Sequence, residues 1–430
     1  MGTKTRNGRL SIWTIRLGIA VGSCLFLIAR LACAESANEA TAGPSWLTPT
    51  LSYDADVASN LRGGLRRGPA YVGNVHVKLN ANGTSVQWPG TSAFVDLLQI
   101  HGGQPSSLVG DAMGVSNIAG PAGAQVEELW LQHNSHGGIT SVLVGIYDLN
   151  SEFYRLRSAS LFVNSAFGVG PEFAQSGVEG PSIFPRTAAG VRVSLKPAAG
   201  TVIRAAMLDG VPVARPDGSH SLFKRGDGVL AVGEVAFLAR EEDSGGKHDS
   251  PRELIGRFSS LTPYDDKLAL GAWRYSGRYP DLSDQGSDGS SVLRRGMSGA
   301  YVVGETILAG RMATSERHWA AFAQVGISDP RTNRFASYLG GGLVGSGWEI
   351  NKASDQIGLS IAHGRNGSHY LSSSPAFTTT RSETTFELTY LTQVSNHVAI
   401  QPDVQYVIHP NTDRSVRNAT VLQLRLECSY

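Results

Sequence analysis

The chain has 430 residues, 41% hydrophobic but only 17% charged, against roughly 25% charged in ordinary soluble domains, and glycine supplies 51 of them. This apolar content excludes a disordered chain, and 37 basic against 36 acidic residues exclude the basic excess of a nucleic-acid binder. One apolar run, near the N-terminus, excludes a helical transporter with several spans of ~20 residues.

Taken in order, the chain begins with the marks of export. Lys4, Arg6 and Arg9 precede an apolar core from Leu17 to Ile28, too short for a spanning helix. Ala32-Cys33-Ala34 then reads as a cleavage site before Glu35. Residues 1–34 are expected to be a signal peptide, 35–45 a short segment, and 46–430 the working domain. An uncleaved anchor fits less well, because Arg16 and Arg30 crowd the apolar core. A lipoprotein signal also fits less well, because Arg30 stands where an aliphatic residue is wanted ahead of Cys33. Cleavage moves the net charge from +1 to −4 and removes Cys24 and Cys33. Cys428 then has no partner for an internal disulfide or a cysteine-based zinc site.

The rest alternates between apolar and polar residues in about sixteen segments of roughly 8–13 residues, separated by Gly, Pro, Asn, Asp and Ser clusters. The predicted strands are 47–56, 70–79, 92–102, 126–134, 139–148, 189–197, 201–209, 230–240, 266–276, 298–309, 317–328, 334–345, 355–365, 382–394, 397–409 and 418–430. Val75, Val77 and Leu79 oppose His76 and Lys78; Val191, Val193 and Leu195 oppose Arg192, Ser194 and Lys196. In the last segment Leu422, Leu424, Leu426, Cys428 and Tyr430 oppose Gln423, Arg425 and Glu427.

The gaps between segments alternate long (103–125, 149–188, 210–229, 277–297, 366–381) and short (135–138, 198–200, 310–316, Ser395-Asn396). This is the signature of an all-β, up-and-down antiparallel transmembrane barrel with long loops at one rim and tight turns at the other. Only 241–265 breaks the rule, a long stretch where a short turn is expected. Sixteen strands with ~10 spanning residues each use about 160 residues. The remainder is enough for loops that fold inward, and a barrel of this size leaves an aqueous lumen. The low charge then follows, since a lipid-facing charge costs ~2–4 kcal/mol at the midplane. A soluble β-sandwich would also alternate, but the loop rhythm does not suit it. The final strand, ending in aromatic Tyr430, resembles the terminal signal read by the outer-membrane barrel-assembly machinery.

Two long stretches resemble the bacterial carbohydrate-selective porins, the OprB family. One is His101-Gly-Gly-Gln-Pro-Ser-Ser-Leu-Val-Gly-Asp-Ala-Met-Gly-Val-Ser-Asn-Ile118, followed by Glu128-Leu-Trp-Leu131. The other is Val144-Gly-Ile-Tyr-Asp-Leu-Asn-Ser-Glu-Phe153, continuing through Asn164-Ser-Ala-Phe-Gly-Val-Gly-Pro-Glu-Phe173 to Ser176-Gly-Val-Glu-Gly-Pro-Ser-Ile-Phe-Pro185. Gln401-Pro-Asp-Val-Gln-Tyr-Val-Ile-His-Pro410 is a shorter match, with His409 where the family usually has Asn. The likeness runs from about Trp46 to Tyr430. It implies a sixteen-stranded outer-membrane channel passing glucose and other small sugars by diffusion, with no cofactor and no metal.

A sugar filter needs an aromatic platform plus carboxylate, amide and guanidinium partners for hydroxyls. With Leu129 and Leu131 facing lipid, Glu128, Trp130 and Gln132 face the lumen. The 149–188 loop is too long for an idle connection, and its Asn150, Glu152, Tyr154, Arg155 and Arg157 are expected at the constriction. The 103–125 loop, with Asp111 and Asn117, is the second candidate. His76, Lys78, Arg192, Lys196, Arg425 and Glu427 are expected to line the lumen. Other readings stay open: Glu128 and Trp130 as rim charge and aromatic girdle, the loop arginines as lipopolysaccharide ligands, Asp111 and Asn117 as turn caps. Gly168 and Gly170 read as turn formers. No metal, phosphate-loop or nucleophile motif is present, so an outer-membrane barrel enzyme, a lipase or protease, stands second to a channel. Expected partners are sugars, outer-membrane lipid and lipopolysaccharide, not nucleic acid, and both monomer and homotrimer remain open.

Overall fold

The computed structural model describes residues 46–212, 223, 226–239, 266–310, 317–347 and 355–430. The expected signal, the 35–45 segment and the anomalous 241–265 stretch lie outside the described residues. The strands are β1 (Leu47–Gly64), β2 (Gly68–Asn82), β3 (Thr91–Gly102), β4 (Gly123–Asn134), β5 (Thr140–Tyr147), β6 (Ala188–Ala198), β7 (Thr201–Asp209) and β8 (Val229–Ala239). They continue as β9 (Asp266–Gln285), β10 (Ser291–Ala309), β11 (His318–Ser328), β12 (Phe335–Ser346), β13 (Gln356–Asn366), β14 (Ser382–Ser395), β15 (Val398–Ile408) and β16 (Arg417–Ser429). Each pairs with its sequence neighbours, and β1 closes on β16 with Asp56 opposite Arg425 and Val57 opposite Leu424. The seam ends where Leu51 and Tyr430 exchange backbone hydrogen bonds of 3.0 and 2.9 Å.

Alternation puts one residue in two on each face. Outward positions carry an exposed apolar band that includes Leu131, Val144, Val191, Leu270, Leu359 and Leu424. Inward positions in the C-terminal strands are buried and polar: Gln401, Asp403 and Gln405 on β15, Gln423 and Arg425 on β16. So extensive an apolar outer surface suits lipid, not water.

One expected loop is not a loop. Residues 277–297 continue β9 and β10 into a long hairpin turning only at 286–290. The period of two persists there, but its polarity inverts. Outward positions pass from Leu268, Leu270 and Ala272 to Arg274, Ser276 and Arg278, while Trp273, Tyr275 and Tyr279 point inward and are buried. Apolar-out, polar-in alternation ends where the strand leaves the hydrocarbon, although the ladder goes on. β1 likewise runs on to Gly64, leaving only 65–67 before β2.

The lumen is also not polar throughout. The 148–187 connection turns inward, and Phe153, Tyr154, Leu156, Phe162, Phe167 and Phe173 merge into one apolar cluster with inward residues of the wall. Val202, Ala206, Leu208, Leu230, Val232, Trp273, Tyr301 and Phe322 supply that wall. Phe173 stacks on Trp273 with ring centroids 4.8 Å apart, and Tyr154 meets Tyr301 at 4.4 Å. The half of the barrel around β7–β11 therefore holds a packed core, and open space is left beside β1–β4, bordered also by residues of β13–β16.

Candidate functional site

The inward loops are held by carboxylates on the strands. Glu305 of β10 accepts from the backbone N–H groups of Arg157 (2.9 Å) and Ser158 (2.7 Å). Glu387 of β14 takes Val163 (2.5 Å) and Asn164 (3.1 Å), and Glu383 takes Ala112 (2.9 Å) and Met113 (3.0 Å). Glu234 of β8 accepts from the Tyr154 N–H at 2.9 Å and the Tyr301 hydroxyl at 2.8 Å. Three of these four carboxylates capture two successive amides, and bonds to a charged group contribute about 1.5–3 kcal/mol each. Side-chain amides capture loop carbonyls in the same way: Gln401 that of Leu161 (2.7 Å), Gln405 that of Val115 (2.8 Å), Gln324 that of Phe167 (2.9 Å). Glycines make room for the seat. A Cβ at Gly358 would lie 2.7 Å from Phe162 Cζ, and one at Gly326 would collide with the Glu172 carboxylate.

What the loops leave open is a cavity of ≈ 930 Å³. Its strand wall includes Asp54 of β1, Asn74, His76 and Lys78 of β2, Phe94 and Asp96 of β3, and Glu127 and Glu128 of β4. The loops facing it contribute Asn117, Asp148, Asn150 and Arg155. Phe94 is stacked against Trp130 at 5.2 Å, and Trp130 Nε1 donates to Glu128 at 3.0 Å. His76 Nδ1 meets Asp96 at 3.0 Å, with Lys78 Nζ 3.7 Å from the same carboxylate. Asp148 donates its N–H to Glu128 (3.3 Å) and accepts that of Asn150 (2.8 Å). Desolvation pushes the Asp148 carboxyl up to about 6, with Asp96 adding to the rise and the Asn150 N–H and Arg155 opposing it. Deep in the loop, burial pushes Glu172 up to about 7 although the Tyr154 hydroxyl donates to it at 3.0 Å. Burial likewise raises Asp111.

Of the sequence-predicted residues, Glu128, Asn117, Asn150, Arg155, His76, Lys78 and Glu427 border this cavity. The others do not, and each has a physical reason. Trp130 stands behind Phe94. Gln132 and Glu152 hold Arg192, at 2.7 Å each. The Tyr147 hydroxyl also donates to Glu152 at 2.5 Å. Tyr154 is fully buried at a φ of +60°, its hydroxyl engaged by Glu172. Arg157 is the residue whose N–H enters the Glu305 clamp. Asp111 lies beside the Glu383 clamp that holds the next two amides. Arg425 faces inward but is buried against Asp56, its guanidinium 2.7 and 2.8 Å from the two carboxylate oxygens. Lys196 is exposed next to the β6–β7 turn.

Sequence reasoning missed Asn74, Phe94, Asp96, Glu127 and Asp148. Asn74 lies two residues from His76 on the same strand face, and Phe94 and Asp96 alternate with Val95 and Leu97, so the period of two could have found all three. Glu127 could not be found that way. Asp96 pairs with Glu128 and Leu97 with Val126, so a β-bulge at Glu127 places two successive residues against one.

The description "Carbohydrate-selective porin, OprB family" matches residues 66–430. A search of curated proteins finds no match. Among solved structures, the high-pH structure of OprB from Pseudomonas putida is 18% identical, with 89% of this chain and 94% of that one aligned at a TM-score of 0.74. The low-pH structure is 14% identical, with 89% and 92% covered and a TM-score of 0.54. At these identities the likeness is one of fold, and the family match carries the function. The closed barrel, its apolar outer band and a match over most of the chain converge: the chain belongs to the OprB family of carbohydrate-selective porins, and it is a sugar-selective channel of the bacterial outer membrane rather than a barrel enzyme.

Proposed function

We propose that the cavity between the inward loops and β1–β4 is the filter of this channel, and that glucose and similarly small sugars diffuse through it into the periplasm. One observation carries the reading: the lining combines the Phe94 ring with carboxylates and the Arg155 guanidinium, beside Asn117 and Asn150, whose Nδ2 groups hold the carbonyls of Phe162, Phe153 and Gly168. A pyranose offers apolar ring faces and a rim of hydroxyls, so a ring platform and ionised partners exchange hydrogen bonds with it at little net cost. Within this reading Glu128, Asn117, Asn150 and Arg155 meet the sugar, and His76, Lys78 and Glu427 line its path. Trp130 positions Phe94, while Gln132, Glu152, Tyr154, Arg157, Asp111, Arg192 and Arg425 hold the wall and loops.

Residues 1–34 serve export, the C-terminal strand serves recognition by the assembly machinery, and the apolar band and loop rim meet lipid and lipopolysaccharide. The test is reconstitution. Liposomes containing the protein should swell in glucose faster than in larger sugars, and Phe94→Ala should weaken glucose block of single-channel current about 2- to 10-fold, for a platform worth 0.5–1.5 kcal/mol. No swelling in glucose overturns the function; unchanged block in Phe94→Ala removes the platform.

A further inference from the structure

The same cavity has an uneven charge. Six carboxylates border it, against Lys78 and Arg155 as permanent cations and two histidines. Lys78 and His76 are both committed to Asp96. Among the described residues no ion pair engages Glu127, Glu128 or Asp148, which lie together on the cavity lining with the Asp148 N–H donating to Glu128. Carboxylates serve the hydroxyls of a neutral sugar equally well when each is paired with a cation, as Asp96 is with Lys78; an excess of acidic over basic groups at a narrow place adds an attraction for positive charge.

A second, independent feature points to a ligand. Asn74, on the strand face shared with His76, is 1% exposed and borders the cavity, yet neither its Oδ1 nor its Nδ2 has a hydrogen-bond partner. Buried amides are nearly always paired, and one left unpaired at the edge of a cavity is set to be satisfied by what enters. Its carbonyl can accept from an N–H or O–H, and its amino group can donate to a neighbouring hydroxyl.

We propose that this filter, if the reading above is right, favours amino sugars: a protonated primary amine is received among Glu127, Glu128 and Asp148, with Asn74 bonding the amine or the adjacent hydroxyl. An ammonium supplies three donors and one positive charge, matching acceptors in excess and a negative balance. N-acetylation removes the charge, and a sugar acid brings the wrong one. The preference therefore separates solutes of nearly equal size by charge.

The test is half-blocking concentration in single-channel recordings of the full-length channel in planar bilayers, with glucosamine, N-acetylglucosamine and glucose as probes. A pH near 7 keeps the amine charged, below the ~7.7–8.0 of an α-amino group. Glucosamine should block at a concentration at least about tenfold lower than N-acetylglucosamine, a difference of about 1.4 kcal/mol. Asn74→Leu and, separately, the near-isosteric Glu127→Gln should each narrow that ratio by weakening glucosamine block more than N-acetylglucosamine block. If Asn74→Leu fails to fold, Glu127→Gln alone decides. Equal block by glucosamine and N-acetylglucosamine, or a ratio unchanged in Glu127→Gln, overturns the amine preference even where glucose still blocks. A conducting channel that no sugar blocks overturns the filter reading itself.

Discussion

Two halves of one barrel interior, built on the same strand alternation, do opposite things. Around β7–β11 the inward positions include Val202, Ala206, Leu230, Val232, Trp273 and Tyr301, which pack with the inward loop as a conventional core, and Glu234, Glu305 and Gln324 stand among them as clamps. Along β1–β4 Ala58, Val72, Leu98 and Ile100 pack against the 103–125 loop, while Asp54, Asn74, His76, Lys78, Phe94, Asp96, Glu127 and Glu128 border open space. Pore width in a sixteen-stranded barrel is thus set less by strand number than by which inward faces are apolar enough to hold a loop. The carboxylate clamps fix that loop in place, so Glu234, Glu305 and Glu387 are structural, as are Asp56 and Gln132 on the other side, and the proposed filter rests on the groups of β2–β4 that border the cavity.

The difference between the halves can be abolished most completely at the clamps. Glu305→Leu combined with Glu387→Leu leaves four loop amides without their acceptors, at about 1.5–3 kcal/mol for each lost bond to a charged group. The loop should leave the wall, single-channel conductance should rise severalfold, and liposomes should admit oligosaccharides that the parent excludes. Unchanged conductance in a folded double variant means that packing alone seats the loop.

A smaller effect is expected on the packed side at Gly358, where an added Cβ meets Phe162 at 2.7 Å. Gly358→Val should cost about 1–3 kcal/mol by overpacking. It should lower the temperature at which the barrel unfolds in detergent, read by circular dichroism, and a parental melting profile would show that the loop shifts freely.

The smallest effect is one of pH on the open side. Because Asp148 is pushed up to about 6, it is ionised at pH 7.5 and gains a proton as the pH falls through 6. Asp96, Glu127 and Glu128 are the acidic groups that face it and Arg155 is the basic one. Loss of one negative charge should reduce the preference for K⁺ over Cl⁻, read from the reversal potential in a KCl gradient, between pH 7.5 and 5. Asp148→Asn should flatten that slope; a slope equal in both proteins would assign the titration to another group.

Much of this molecule was legible in the sequence because lipid and water impose a period of two. Leu422, Leu424 and Arg425 fall on the faces their alternation predicts, and the strand ends mostly agree within a few residues. The pattern fails where its physical cause ends. At Arg274 and Tyr275 the strand continues but lipid no longer touches it, so polarity inverts; at Glu127 a bulge resets the phase. The site was less legible for a different reason. Tyr154 and Glu152 have the right chemistry for a sugar filter, but their partners, Glu172 and Arg192, become neighbours only through the folded loop and wall. Residue type reports what a side chain can bind, and only the packing shows whether something in the chain has already bound it.

The proposed path of solute, beside β1–β4 and not beside β7–β11, is open to direct chemical test. In a Cys428→Ser background, Asp54→Cys places a thiol on the cavity wall, and Ala206→Cys places one in the packed half. A bulky methanethiosulfonate added during single-channel recording should remove most of the current through Asp54→Cys and leave Ala206→Cys unchanged. Closure of Ala206→Cys, or an open Asp54→Cys after complete labelling shown by mass spectrometry, would contradict the account.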